Sequence, residues 1–372
     1  MSRTIVQTTA EDELVRSTGY LKLRSSEGPS GQERAPVQAA PPADYEYSAF
    51  LPTYDHDIKY PALVPFEHLD PGHAALSDSA PRSFLEGAKE NRLTPKFGSE
   101  ISGVQLSQLD ARAKSQLALY VAQRGVVVFR DQDFVDQSPK WQIEEWGATF
   151  GRNHIHPTSG QPKDHPELHL VYNDGKRTDQ LSERYRDRLT TSGWHSDVTY
   201  ESQPPGLTTL FLYATPETGG DTAYVSQVEA YNRLSPSFRE YLETLSVVHS
   251  AQEQADFSLK KKGVVRRDPI ENTHPLVRRH PVTGDKALFV NKGFSRRIVG
   301  LKTEESDAIL NLLYAHIAQG SDFQVRAQWK PRSVVLWDNR VTAHSANVDY
   351  DPSVDGFRHG ARITPQAEKP TL

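Results

Sequence analysis

Eight residues, Gly193-Trp194-His195-Ser196-Asp197-Val198-Thr199-Tyr200, constrain this chain more than any other stretch. Their alternation and their β-branched and aromatic content give the pattern of a strand. Residues i and i+2 of a strand point to one face. His195 and Asp197 are therefore expected to set an imidazole and a carboxylate side by side. With a second, distant His, such a pair makes the 2-His-1-carboxylate triad, which leaves coordination positions open on a non-haem Fe(II). The candidate for that second ligand is His344. The plainer alternative is a hydrogen-bonded pair at a strand end.

The same spacing recurs at His68-Leu69-Asp70, but Pro71-Gly72 follows it, and that is turn chemistry. Context therefore favours His195 and Asp197. His344, within Arg340-Val341-Thr342-Ala343-His344-Ser345-Ala346, reads on its own as an ordinary histidine after a strand. The absence of cysteine excludes disulfides, thiolate metal sites and a Cys nucleophile, so any metal must be held by His and carboxylate. A net charge of −5 offers no basic footprint for nucleic acid. No apolar run approaches the ~18 residues of a membrane span. The N-terminus lacks an apolar signal core, and a cytoplasmic location is expected.

Residues 1–90 are rich in Pro, Ala, Ser and charge, a composition that buries no core of its own. They read as an extension, partly disordered or wrapping the domain or a neighbouring subunit. Tyr45, Tyr47, Phe50, Leu51 and Tyr54 are its candidate anchors, and the catalytic domain occupies 91–372. Regular structure is expected from about Leu93. Ala111 to Arg124 reads as a helix stopped by Gly125, Val126 to Phe129 as a buried strand, and Ser138-Pro139 as the start of a helix reaching Phe150. The charged stretch 173–192 is either a lid over the site or a solvated loop.

Further on, strands are expected at Thr208–Tyr213 and Asp221–Val225, with helices at Val228–Leu234 and Ser237–Leu245. Two strands around a Gly-containing turn follow between His274 and Asn291. Thr303 to Gly320 reads as an amphipathic helix with Ile309, Leu310, Leu312, Leu313 and Ile317 inward. Phe323 to Trp329 alternates as a half-buried strand, and Ser333–Trp337 is the next. The fold class is mostly β with flanking helices, a double-sheet jelly roll. Arg358 and Arg362 follow the last motif. A metal with open positions needs a co-substrate, and the planar Arg fork suits a carboxylate; surface solvation is the alternative.

Several pieces now stand in one order: Gly125-Val-Val-Val-Phe-Arg-Asp-Gln, His154-Ile-His-Pro, Trp194-His-Ser-Asp-Val-Thr, Gly219-Gly-Asp-Thr, His274-Pro-Leu-Val-Arg, Leu288-Phe-Val-Asn, Trp337-Asp-Asn-Arg and Arg358-x3-Arg362. Together, from about Leu93 to Thr364, the chain resembles the taurine/2-oxoglutarate dioxygenase family, and more closely the fungal sulfonate/2-oxoglutarate dioxygenases. The resemblance implies a double-stranded β-helix, a cupin-like jelly roll. It implies that His195, Asp197 and His344 bind Fe(II), that Thr222 and Arg358 hold 2-oxoglutarate, and that His156 and Arg362 face the substrate's sulfonate. O2 is the second co-substrate. The reaction implied is hydroxylation at the carbon next to sulfur, releasing sulfite and an aldehyde with succinate and CO2. A homodimer or tetramer is implied as well.

There are departures. The aromatic residue of the bacterial taurine enzyme three positions after the His matching His156 is Ser159 here, and its substrate-binding Asn is Thr191. The iron and co-substrate shells are kept while part of the substrate shell differs, so the substrate is a small anion, with taurine itself in question. A second reading is a biosynthetic oxygenase acting on an amino acid or other carboxylate. A third is a non-catalytic sensor that binds metal and 2-oxoglutarate.

Overall fold

The computed structural model of the 372-residue chain describes residues 41–173, 193–352 and 354–372. Its principal strands are β1 (Lys89–Arg92), β2 (Ser99–Ser102), β3 (Val126–Phe129), β4 (His169–Asn173), β5 (Leu207–Ala214), β6 (Thr222–Ser226), β7 (Ser246–Ser250), β8 (Glu271–Pro275), β9 (Ser295–Ile298), β10 (Gln324–Ala327), β11 (Val334–Asp338), β12 (Thr342–Ala346) and β13 (Arg358–Ile363). Seven of them form the main sheet in the order β1-β2-β3-β11-β5-β13-β4. A facing sheet runs β10-β6-β12, and a third runs β9-β7-β8. All pairs are antiparallel except β2 with β3.

The order of layers follows from which residues share a core. Val127, Phe129, Phe211, Val334, Leu336, Ala361 and Ile363 face a helical layer that includes helix α1 (Ala111–Arg124) and Trp146. Their neighbours Val126, Val128, Leu210, Leu212, Val335 and Trp337 face the other way, against Tyr224, Val325 and Ala327 of the second sheet and Trp329 just beyond it. A strand covered on both faces reads as an unbroken apolar run, which is why Val126-Val-Val-Phe129 shows no alternation. Behind the second sheet, Val225 and Ala343 pack on helix α2 (Thr303–Gln319).

Period-2 alternation then fixes what lines the gap between the sheets. His344 is next to the outward-facing Ala343, and Thr222 shares the parity of Tyr224. Arg358 and Arg362 share the parity opposite to Ala361 and Ile363. All four point inward.

Local chemistry explains the boundaries. The Asp110 side chain accepts from Ala113 N at 2.8 Å to cap α1. Gly125 ends it at φ 72°, where a Cβ would lie 2.4 Å from the Phe97 ring. Within α2, Leu310, Leu313 and Ile317 are buried but Leu312 is 53% exposed. At 100° per residue it lies on the far side from Leu310, so its inclusion in the inward face was an error of phase.

Other expectations shift too. The helix expected from Ser138 to Phe150 is a π-helix over Trp141–Gly147 closed by one α turn. Regular structure starts before Leu93, with a short helix at Gly72–Leu76 and then β1. A helix at Gln252–Lys260 was not anticipated. The stretch 174–192, with Thr191, lies outside the described residues.

The N-terminal segment from Pro41 lies across one end of the main sheet. Phe50 stacks on Tyr213 with ring centroids 5.3 Å apart. His359 Nε2 donates to the Phe50 carbonyl at 2.9 Å, so Nδ1 is left to accept from the Tyr45 hydroxyl at 2.9 Å. Burial lowers the His359 pKa from 6.5 to about 4. A released arm would move the value back towards 6.5, so docking is fully supported above pH 6.5 and weakens as pH falls towards 4. The upper bound on that loss is about 3 kcal/mol. Hydrogen exchange of amides 45–60, normalised to the main sheet, should rise over that interval. His359→Gln should flatten the dependence.

Candidate active site

His195 does not lie in a regular strand. It forms a single antiparallel bridge with His344 of β12: His195 N donates to His344 O at 3.0 Å and His344 N to His195 O at 2.8 Å. Residues that exchange both bonds stand directly opposite with side chains on one face. The two rings accordingly lie 4.3 Å apart. Asp197 reaches the same point by another route. The chain turns immediately after it, with Val198 at φ 39°, a conformation that β-branched residues avoid. The structure brings His195 and Asp197 together, as the i, i+2 argument expected, but not as neighbours on one face of a regular strand.

Ligand atoms of His195, Asp197 and His344 all lie within 4.8 Å of one another, the sole such group of three or more among the described residues. Both imidazole Nε2 atoms are 3.7 Å from Asp197 Oδ1. His195 Nδ1 donates to the Gly193 carbonyl at 2.7 Å, which leaves Nε2 as the lone-pair nitrogen a metal requires. Asp197 Oδ2 is buried without a partner among the described residues. Burial alone would raise the Asp197 carboxyl, but the Arg362 guanidinium beside it outweighs burial and holds the group ionised. Burial and the neighbouring His195 keep His344 neutral. Two imidazoles and one carboxylate, with an oxygen that has no partner among the described residues, fit a divalent metal.

Asn339 holds the Asp197 backbone on both sides. Its Oδ1 accepts from Asp197 N at 2.7 Å, and its Nδ2 donates to Asp197 O at 3.1 Å. Removing such support costs roughly 10–100-fold in metal affinity in comparable sites. Asn339→Ala should weaken Fe(II) binding by that order in a direct titration; affinity within twofold of the parent would contradict it.

Two arginines stand four residues apart on β13. Arg362 Nη1 donates to Asp197 Oδ1 at 2.9 Å, and its Nη2 to His169 Nδ1 at 2.6 Å. Arg358 is 5% exposed, lies over the Trp329 ring at 5.6 Å and has no carboxylate partner among the described residues. Trp329 Nε1 also donates to Thr222 Oγ1 at 3.2 Å, so Thr222, Trp329 and Arg358 form one group. A buried unpaired cation is costly and calls for an anion.

His156, Ser159, His169 and Arg362 line a cavity of about 470 Å³ that reaches His195 and Asp197. His156 Nδ1 accepts from the backbone N–H groups of Thr158 and Ser159 at 3.3 and 3.1 Å, so Nε2 carries the proton. His169 Nδ1 accepts from Arg362, so its Nε2 is a donor as well. Burial, then the nearby cations and imidazoles, keeps both rings neutral. Sequence reasoning missed His169, which is opposite Arg362 in the β4–β13 register and carries no local signal. The first histidine of the His154-Ile-His-Pro stretch is structural, with Nε2 3.0 Å from Glu201 Oε1.

Residues 89–364 match the family of taurine catabolism dioxygenases, TauD/TfdA. The chain belongs to the TauD/TfdA family. Within that family it is 44% identical over 330 residues to an alpha-ketoglutarate-dependent sulfonate dioxygenase of Saccharomyces cerevisiae, covering 87% of this chain and 79% of that one. A taurine dioxygenase from Burkholderia xenovorans superposes with a TM-score of 0.62 at 30% identity, over 76% of this chain and 91% of that one. The structure of AAD-2 with Mn(II) and N-oxalylglycine gives 0.60 at 25% identity, over 76% and 100%. As a TauD/TfdA protein the chain is a dioxygenase, and the cluster of His195, Asp197 and His344 lies inside the matched region.

Proposed function

We propose that this chain is an alkyl sulfonate dioxygenase whose two facing sheets form a double-stranded β-helix around the site. Fe(II), 2-oxoglutarate and O2 are its cofactor and co-substrates. His195, Asp197 and His344 hold the metal, and the convergence of their donor atoms within 4.8 Å is the observation that carries the reading. Bound there, iron with 2-oxoglutarate and O2 supplies the oxidising power that puts one oxygen atom on a substrate carbon and the other into succinate. A carbon bearing both hydroxyl and sulfonate then separates into an aldehyde and sulfite.

The chain's own residues bind, orient and exclude water. Arg358 and Thr222 take the distal carboxylate of 2-oxoglutarate, which neutralises the buried guanidinium. At the other end, Arg362, His156 Nε2 and His169 Nε2 offer N–H donors around the cavity, and a sulfonate presents three oxygens to them. Because both imidazoles are neutral, the positive charge for the head group comes from Arg362 and the metal. Asp197 tethers Arg362, so head-group capture and metal position are mechanically linked, and one C–H is presented to the centre.

Sulfite and succinate release from matched alkanesulfonates and alkanecarboxylates tests the assignment. Sulfite equal to succinate is expected; succinate with carboxylates and no sulfite would replace it with the carboxylate reading. The two arginines should separate kinetically. Arg358→Ala should raise KM for 2-oxoglutarate by more than about tenfold, as loss of a charged hydrogen bond of ~2 kcal/mol or more predicts. Arg362→Ala should act mainly on KM for the sulfonate. Equal effects of either variant on both KM values would contradict the division.

A further inference from the structure

The N-terminal arm lies outside the family match, yet it reaches the active-site cavity. Thr53 bridges to Gln161: Thr53 N donates to Gln161 O at 2.9 Å, and its Oγ1 donates to the same oxygen at 2.7 Å. Buried Arg266 braces both sides of this contact, with Nη2 on the Thr53 carbonyl at 3.1 Å and Nη1 on the Ser159 carbonyl at 2.6 Å. Tyr60 N donates to Arg266 O at 2.6 Å, and Arg267 Nε donates to Pro61 O at 3.0 Å. On one side of Tyr54 the arm is thus fastened to the loop that carries His156, and on the other to Arg266 and Arg267, whose side chains also bond that loop.

Beside Tyr54 that loop carries Gly160, which has no side chain. Tyr54 fills the space. A Cβ at Gly160 would lie 2.6 Å from Pro52 Cβ and 3.0 Å from the Tyr54 hydroxyl, so only glycine admits the arm this closely. Tyr54 lines the same cavity as Arg362, His156 and Phe294. At about 470 Å³ that cavity lies in the ~300–1,000 Å³ range of sites that enclose organic molecules of substantial size. There is room beyond the anionic head for a sizeable organic group, and the arm supplies part of the wall around it.

We propose that Tyr54 is a specificity-determining residue of this enzyme: the N-terminal arm sets how bulky an organic group the anionic substrate carries. The proposal rests on the sulfonate reading of the cavity, with the head held at Arg362. Loss of the phenol enlarges the tail region and leaves the metal and 2-oxoglutarate groups untouched. Gly160→Ala acts in the same sense, by pushing the arm outward with Tyr54 unaltered. Tyr54→Trp acts in the opposite sense.

The test is the ratio of kcat/KM for phenylmethanesulfonate to that for ethanesulfonate, measured on the full chain with Fe(II) and 2-oxoglutarate. Tyr54→Ala and Gly160→Ala should each raise the ratio by about fivefold or more, the scale on which a pocket discriminates by volume. Tyr54→Trp should lower it, and KM for 2-oxoglutarate should stay within twofold in all three. Thermal midpoints identify a variant that fails to fold, and the remaining two then decide. A ratio constant within twofold across the folded variants, or KM for 2-oxoglutarate moving in step with it, overturns the role of Tyr54. If the parent chain releases no sulfite but oxidises carboxylates, the sulfonate reading falls. The same comparison on phenylacetate and propanoate then judges Tyr54 separately. Turnover of neither series overturns both.

Discussion

Asp197→Ala leaves the chain without measurable Fe(II)-dependent succinate formation. The substitution deletes one of three donors, and it deletes the group that orients Arg362, 2.9 Å away. What remains is a guanidinium facing two imidazoles, an arrangement that repels a cation instead of attracting one. Iron retained after desalting should fall to the level of a buffer control, and His195→Ala should do the same. Asp197→Asn separates the two losses, because its amide keeps an oxygen for Arg362 but carries no charge for the metal. It should keep sulfonate-dependent thermal stabilisation and lose turnover. An Asp197→Ala protein that holds stoichiometric iron and makes succinate would remove the assigned centre.

Arg340→Ala should cost about 3–5 kcal/mol of stability, the scale of breaking a buried ion pair from one side. The guanidinium is 2% exposed and joins Asp338, Asp70 and Glu368, with contacts of 2.6 Å to Asp338 and Asp70 and 3.2 Å to Glu368. His280 Nε2 donates to Asp338 at 2.9 Å, and Arg278 pairs with Glu368. Burial would raise the Glu368 carboxyl, but Arg340 and Arg278 hold it at about 2. Without Arg340, Asp338 and Asp70 stay buried with too little positive charge. The thermal midpoint should drop by about 4–6 °C. Because Asn339 sits between Asp338 and Arg340, iron affinity should fall too, although neither side chain touches the metal site. A midpoint within 2 °C of the parent would show that the network contributes nothing of this kind.

That network also explains the second His-x-Asp. Asp70 accepts from Gly72 N at 2.7 Å and pairs with Arg340, so it serves the fold. His68 and Asp70 stay outside the cluster of His195, Asp197 and His344, and Gly72 opens a short helix where a turn was expected.

What could be read from residues alone is what depends on neighbours in the chain. The Ser138 cap and Gly125 stop, the apolar run of β3, the alternation from Phe323 to Trp329, and the residue types of a metal site without thiolates are all of this kind. Each reflects a local free energy: a capped N–H group, a left-handed φ, or a face that must be dry. What the tertiary structure alone decided is which distant groups meet. Strand pairing puts His344 opposite His195, register puts His169 beside Arg362, and a glycine 106 residues away lets Tyr54 into the cavity wall. These proximities follow from closure of long loops and burial of whole sheets, whose energies are summed over the fold and written in no single segment.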